Sequence, residues 1–413
     1  MRPIPHRANA AYYTHHITRV NVGTQDLRDL ESHPERDRIL VDAYRRDSYT
    51  ATELISGITS GRDAKKEKAE ELRRMASTLP DGPARKSLLE AADTIEALSD
   101  EPTENTQKPI GYGISEGAFR ELLEYVKFRS SCRISGTTEV RREFDRRHPG
   151  MGAIFDLIEK EYENAGIAEI KLVADFPVLT AVFGYTRVSF EPETPMGSEI
   201  VKTTFNWFPT LRMNKDALVD RIPIFIRATE TEAIFIRLDP TRLLKWLEKI
   251  LPGSVGEIPA SESLARLWLL RNVDEVDRFV TQNQMTPITR AIFGITHTLS
   301  HIFIRSAASL AGIDRTGLGE YLFPRIGALV IYNSNTVFNL GGLTTMFEEN
   351  LEELLTNTRS NPLAQECVYD PVCQEQWNSS CHACTHLGEM ACSFFNRGMS
   401  REYIFGPKGY WAK

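Results

Sequence analysis

The sequence predicts a mixed α+β fold: a sheet-containing body, a helical hairpin inserted into it, and a C-terminal domain stapled through cysteines. Three observations carry this. Some short segments are β-branched and aromatic with near alternation, the signature of half-buried strands. Others repeat apolar residues at three-and-four spacing, the signature of amphipathic helices. And of the chain's 6 cysteines, all but Cys132 lie between Cys367 and Cys392. The 413 residues are 41% hydrophobic and 25% charged, enough apolar material for two or three cores and too much for a disordered adaptor. The expected division is a body over 1–285 with the hairpin as an insertion at 62–108, and a cysteine-bearing domain over 286–413.

Residues 10–22 alternate well enough to predict a strand, in which the adjacent His15 and His16 point to opposite faces. From Arg62 to Leu98 the spacing turns helical (Ala69, Leu72, Met75, then Leu88, Leu89, Ala92, Ile95, Leu98), and Pro80-Asp81-Gly82-Pro83 divides it into a hairpin. Ser99 to Lys108 reads as a linker. Phe119, Leu122, Leu123 and Val126 mark a further helix.

A basic run follows. Arg133, Arg141, Arg142, Arg146 and Arg147 lie between Lys127 and His148, a cluster able to hold phosphates by ion pairing and counterion release. The bland alternative is a solvated helix face on which Glu143 pairs with Arg147 four residues on. The formal charge of −7 weighs against nucleic-acid binding through a global field, so any DNA contact is expected to be local or made through a partner.

Residues 151–165 read as a helix, 167–173 as a strand and 176–190 as further strand. Asp156, Glu169 and Lys171 superficially fit the acid…acid-x-lysine pattern of a metal-dependent nuclease, in which carboxylates hold Mg²⁺. Glu169 and Lys171, two apart, also fit the exposed face of an ordinary strand. Residues 233–240 read as a buried strand feeding a helix at 241–250. The apolar helix at 292–311 puts His297 and His301 on one face, but Thr298 stands where a metalloprotease helix carries Glu, so packed core histidines are expected there. His297, His301 and Arg305 also interrupt the apolar run short of a membrane span. A strand at 326–332 and the pair Gly341-Gly342 precede a last helix; without a Gly-x-x-x-x-Gly-Lys-Ser/Thr loop no nucleotide site is expected.

The cysteines run Cys367, Cys373, then Cys381-His382-Ala383-Cys384, then Cys392. A Cys-x2-Cys turn grips one side of a tetrahedral ion, and flanking thiolates close a structural zinc site. Five thiols for four positions leave one over. The expected set is Cys373, Cys381, Cys384 and Cys392, with Cys367 as alternate to Cys373; His382 and His386 are weaker substitutes. The opening Met-Arg-Pro-Ile-Pro has no apolar h-region, so the expectation is a cytoplasmic chain with reduced thiols.

Several of these segments together carry a resemblance. His297-Thr-Leu-Ser-His301, Ala328-Leu-Val-Ile-Tyr332, Gly341-Gly342-Leu343, the cysteine series and Phe395-Asn396-Arg397 resemble the helicase-associated four-cysteine domain long catalogued as of unknown function. With Tyr12-Tyr13, Phe183-Gly-Tyr-Thr-Arg187 and Thr231-Glu-Ala-Ile-Phe-Ile-Arg237, the chain is similar to the DrmB-like proteins of DISARM anti-phage systems. Family members begin with a further N-terminal region, so the resemblance implies a compact relative or one part of a split protein. They also carry Leu-Asp-Arg after the last cysteine, where this chain has Gly398-Met399-Ser400-Arg401. The resemblance implies a non-catalytic subunit that associates with a superfamily-2 helicase of the DrmA type and meets DNA mainly through that complex. It implies neither a membrane nor a small-molecule substrate.

Overall fold

The computed structural model describes residues 13–21, 31, 35–47 and 49, short stretches between 72 and 89, and, with brief gaps, 112–412. Most of the expected hairpin and all of its linker lie outside the described residues; within it, 72–77 is helical.

The chain forms two compact units, one made of residues 23–130 and the other of 1–22 with 131–413. The smaller unit carries α1 (Arg36–Arg46) and most of α2 (Glu116–Ser131), whose buried faces include Leu40 and Tyr44 on the first and Leu122, Tyr125 and Phe128 on the second. Tyr44 and Tyr49 each meet Tyr125 edge-on.

The larger unit is built on a seven-stranded antiparallel sheet. Its main path is β1 (Tyr13–Val20), β3 (Ile167–Thr186), β9 (Phe225–Leu238), β11 (Ala328–Asn333) and β10 (Leu318–Phe323); β2 (Ile134–Ser135) and β6 (Asn206–Trp207) also pair with β3. Two small hairpins, β4–β5 (Glu193–Met196, Glu199–Lys202) and β7–β8 (Leu211–Asn214, Ala217–Arg221), lie off this sheet. The strands expected at 167–173 and 176–190 are one strand of 20 residues, bent by register shifts at Ile167/Glu169 and Val173/Phe176. Such bulges add twist and let one long strand curl. A further shift between His15 and His16 overrides simple alternation, and both histidines are buried.

The sheet runs across the boundary expected at 285. β10 and β11 lie beyond it, yet β11 pairs with β9 from Ala328↔Arg237 to Tyr332↔Ala233. One hydrophobic cluster extends from Val140 to Trp411. β11 is buried along its whole length, and a strand buried on both faces needs paired neighbours as well as helices over it, which carries the sheet across that position.

Caps in the sequence set the helix starts. Asp239 accepts from the Thr241 and Arg242 N–H groups at 2.8 and 3.1 Å ahead of α5 (Pro240–Ile250), with proline at the first helical position. α6 (Glu262–Asn272) buries Ala265, Leu267, Leu269 and Leu270, while α3 (Thr137–Arg147) and α4 (Ile154–Asn164) are amphipathic. α7 (Pro287–Ala311) is not: every residue from Ala291 to Ile304 is buried. A helix buried all round belongs at the centre of a unit. α7 packs against β10 and β11 on one side, and against α8 (Gly342–Glu349), α9 (Leu351–Arg359) and the short α11 (Glu402–Phe405) on others.

The C-terminus is tied down by specific bonds. Trp411 Nε1–H donates to Ala165 O at 2.7 Å and the Tyr410 hydroxyl to Gly166 O at 2.6 Å. Gly166 has φ +75°, and a Cβ there would meet the Tyr410 hydroxyl at 2.5 Å, so both backbone conformation and close approach require glycine.

Candidate metal centres

Two groups of ligand-type side chains lie in the 286–413 segment, one made by a loop and the other by the central helix. The first begins at the Cys-x2-Cys turn. Cys384, Thr385 and His386 N–H groups all point at Cys381 O, which folds the turn tightly, and the Cys381 N–H donates to Cys384 Sγ at 3.1 Å. Preceding it, Cys367 and Cys373 flank the turn at Pro371 that leads into α10 (Val372–Gln376).

The sulfurs of Cys367, Cys373, Cys381 and Cys384 all lie within 4.8 Å of one another. The closest separations are 3.5 Å (Cys367–Cys381), 3.7 Å (Cys384–Cys381) and 3.8 Å (Cys373–Cys384). Metal–sulfur bonds of about 2.3 Å in a tetrahedron place sulfurs about 3.8 Å apart, whereas a disulfide needs about 2.05 Å. The geometry is that of four thiols able to bind one metal ion.

Arg401 and Arg305 stand beside this cluster. Arg305 donates to Ala383 O at 3.1 Å and Arg401 Nε–H to Ser379 O at 3.1 Å. Four thiolates around a divalent ion leave two excess negative charges, and these guanidiniums offset them. The Arg401 guanidinium is pushed up: burial opposes its charge, but Asp370 and Cys373 outweigh that.

Three of the four expected ligands are therefore here, but the fourth thiol is Cys367, not Cys392. After Cys384 the chain leaves the turn, and Asn396 pins the departing loop by accepting from the Leu387 N–H at 2.9 Å and donating to Leu387 O at 3.0 Å. Cys392 is carried to α7 instead. His382 and His386 stay outside both groups, their rings 4.8 Å apart, and burial pulls the His386 imidazole down to about 4.

The second group is His297, His301, Glu320 and Cys392. None is more than 2% exposed. Glu320 lies in the middle of β10, and its N–H reaches Ala391 O at 3.4 Å, so the loop bearing Cys392 lies along this sheet edge. Glu320 Oε1 is 3.1 Å from His297 Nε2 and 3.4 Å from His301 Nε2, and Cys392 Sγ is 3.2 Å from His297 Nε2. Burial penalises every charge here, yet mutual attraction wins: His297 is pushed up to about 10 and His301 to about 9, Cys392 is held down to about 7, and Glu320 lies well below the usual carboxylate range. Packed core histidines were the expectation; buried they are, but with a carboxylate and a thiol as partners. The sequence carried a signal for this in the surplus fifth cysteine and the two same-face histidines taken together.

The remaining expected residues disperse. Arg133 pairs with Asp175 at 2.9 Å, Arg141 with Asp156, Arg146 with Glu143 at 2.6 Å, and Arg147 with Glu348 at 2.8 Å and Glu143 at 3.9 Å. Arg142 is exposed on α3 and helps hold the Glu139 carboxyl low, after that group's backbone hydrogen bonds. Glu169 is engaged by the buried Arg237 at 3.2 Å and by Lys171 at 4.0 Å. Among the described residues, no metal-holding group joins Asp156 to Glu169. The helix start at Gly341-Gly342 takes its anion from the chain itself, since the Thr344 N–H and hydroxyl both donate to Glu232 Oε2 at 2.9 Å. No described helix is long and apolar enough to cross a membrane.

A comparison with models of known protein families finds no match to this chain, and a comparison with curated proteins likewise finds none.

Proposed function

We propose that this chain is a non-catalytic, cytoplasmic subunit of a bacterial anti-phage defence complex. In this reading it associates with a superfamily-2 helicase, supports that helicase's engagement of DNA, and carries one structural zinc ion on Cys367, Cys373, Cys381 and Cys384. The observation that carries the reading is convergence. The segments behind the DrmB-like resemblance, namely His297 to His301, the strand Ala328 to Tyr332, the cysteine turn and Phe395-Asn396-Arg397, are far apart in sequence yet meet around α7. His297 Nδ1 reaches Arg397 O at 2.8 Å, and His301 Nδ1 reaches Thr385 O at 2.9 Å.

The zinc assignment rests on donor chemistry: four closely set thiols with tetrahedral edge lengths select zinc or an iron–sulfur centre, and a single-ion cluster of this size is the usual structural zinc geometry. The paired states of Arg133, Arg141, Arg146 and Arg147 support weak direct contact with DNA. The test is co-purification of the chain with a DrmA-type helicase, followed by DNA binding of the complex and of each part. Complex formation with tighter DNA binding than the helicase alone is the expected result. Failure to associate, or Mg²⁺-dependent DNA cleavage by the purified chain, overturns it.

A further inference from the structure

We propose that His297, His301, Glu320 and Cys392 bind a second, separate divalent transition-metal ion, of the zinc class, in a closed structural site at the centre of the larger unit. The proposal does not depend on the helicase reading.

Proton accounting comes first. His297 Nδ1 and His301 Nδ1 each lie against a backbone carbonyl oxygen, which only accepts. Both Nδ1 atoms must therefore carry the hydrogen. In the neutral imidazole that leaves each Nε2 with a bare lone pair, and both lone pairs face Glu320 Oε1, itself an acceptor. Acceptors facing acceptors in a site that excludes water repel unless a cation lies among them: a second proton on each ring, or one metal ion that all four groups share. Metal-ligating histidines have this arrangement, one ring nitrogen on the ion and the other fixed by a carbonyl.

The other two ligands are supported in the same way. The Phe394 and Asn396 N–H groups each donate to Cys392 Sγ at 3.3 Å, favouring the thiolate. The Ser300 hydroxyl donates to Glu320 Oε2, leaving Oε1 to face the centre. Bond lengths of about 2.0–2.3 Å give tetrahedral edges of about 3.3–3.8 Å. The observed separations of 3.1, 3.4 and 3.2 Å lie close to that range.

Charge balance selects a divalent ion. One carboxylate and one thiolate neutralise it, so the filled site is uncharged, which suits full burial; no nearby arginine is needed, unlike at the four-cysteine cluster. Two imidazoles, a carboxylate and a thiolate form a borderline donor set that favours zinc over calcium or magnesium. With four protein ligands and no exposed face there is no open position for substrate, which makes the role structural. The ion would join the central helix, the edge strand β10 and the returning C-terminal loop.

The test is metal content of the full chain purified without added metal, with X-ray absorption at the metal edge. Two equivalents per chain are expected, with imidazole and oxygen scattering beside sulfur. Cys392→Ala and His301→Ala should each lose one equivalent and retain the sulfur-only spectrum of the other site, whereas Cys384→Ala should do the reverse. Should the variants fail to fold, the parent spectrum decides alone. One equivalent with a purely sulfur shell overturns the proposal, as does a Cys392→Ala protein that keeps two.

Discussion

Arg401 and Asp370 form a two-pronged ion pair, with Nη2 at 2.8 Å from one carboxylate oxygen and 3.0 Å from the other. Asp370 in turn accepts from the Cys367 N–H at 2.8 Å. The pair thus joins the C-terminal turn to the first thiol of the cysteine cluster. It uses the arginine that closes the Gly398-Met399-Ser400-Arg401 segment.

Asp370→Asn should accordingly destabilise the chain by about 2–4 kcal/mol, because it leaves a largely buried guanidinium without its counter-charge. Urea unfolding monitored together with metal content checks this. The expected result is a lower midpoint and weaker metal retention; an unchanged midpoint would make the pair ornamental.

Removing metal from the four-cysteine cluster should cost more. Those thiols sit in a segment with little regular structure of its own, so metal binding there supplies folding free energy directly. Chelation at neutral pH should lower the melting temperature, and re-addition of zinc should restore it. Cys384→Ser should lower the melting temperature through loss of the metal of this cluster alone, whereas Cys132→Ser, at a cysteine outside both groups, should leave melting and metal content unchanged.

Much of this architecture was legible in the sequence. The run at 233–240 reads as a buried strand and the apolar run at 326–332 as a strand, and the Cys-x2-Cys turn named its own chemistry. What the sequence hid were partnerships. β10 reads poorly as a strand because Glu320 interrupts its apolar run, and only the histidines of α7 explain a carboxylate there. The partition of five thiols between two groups was likewise invisible, since Cys392 follows Cys384 closely along the chain while Cys367 precedes it by more. Spacing reports proximity in sequence; Asn396 and Leu387, bonded across a loop, decide proximity in space.

A glycine on the central helix tests that loop placement. A Cβ at Gly294 would meet the Tyr403 ring at 2.4 Å and Gly398 O at 2.8 Å, so the C-terminal turn approaches α7 only because no side chain stands there. Gly294→Ala should destabilise by about 1–3 kcal/mol through overpacking, even though alanine is the better helix former. Thermal unfolding of this variant beside Gly253→Ala, where no atom lies within 4 Å of the added carbon but φ is +84°, separates overpacking from backbone strain. Tyr403→Leu in the Gly294→Ala background should recover part of the loss if the ring is the obstacle.

The basic run makes the last prediction. Arg146 and Arg147 share Glu143, and Arg147 also reaches Glu348, so these cations are partly neutralised before any phosphate arrives. A protein's salt dependence on DNA scales with the phosphates it neutralises, at roughly 0.9 log units of affinity per log unit of salt for each contact. The isolated chain, with a formal charge of −7, should therefore bind duplex DNA weakly and with a shallow slope. A helicase complex should bind far more tightly, with a slope set by the helicase. Arg142→Glu together with Arg146→Glu should leave the isolated chain folded, since both side chains are exposed. If the run touches DNA within the complex, the double variant should weaken binding equally across sequences and flatten the slope, as phosphate contacts do. An unchanged complex would assign α3 to the protein surface alone, and steep, tight binding by the isolated chain would overturn the partner-dependent reading.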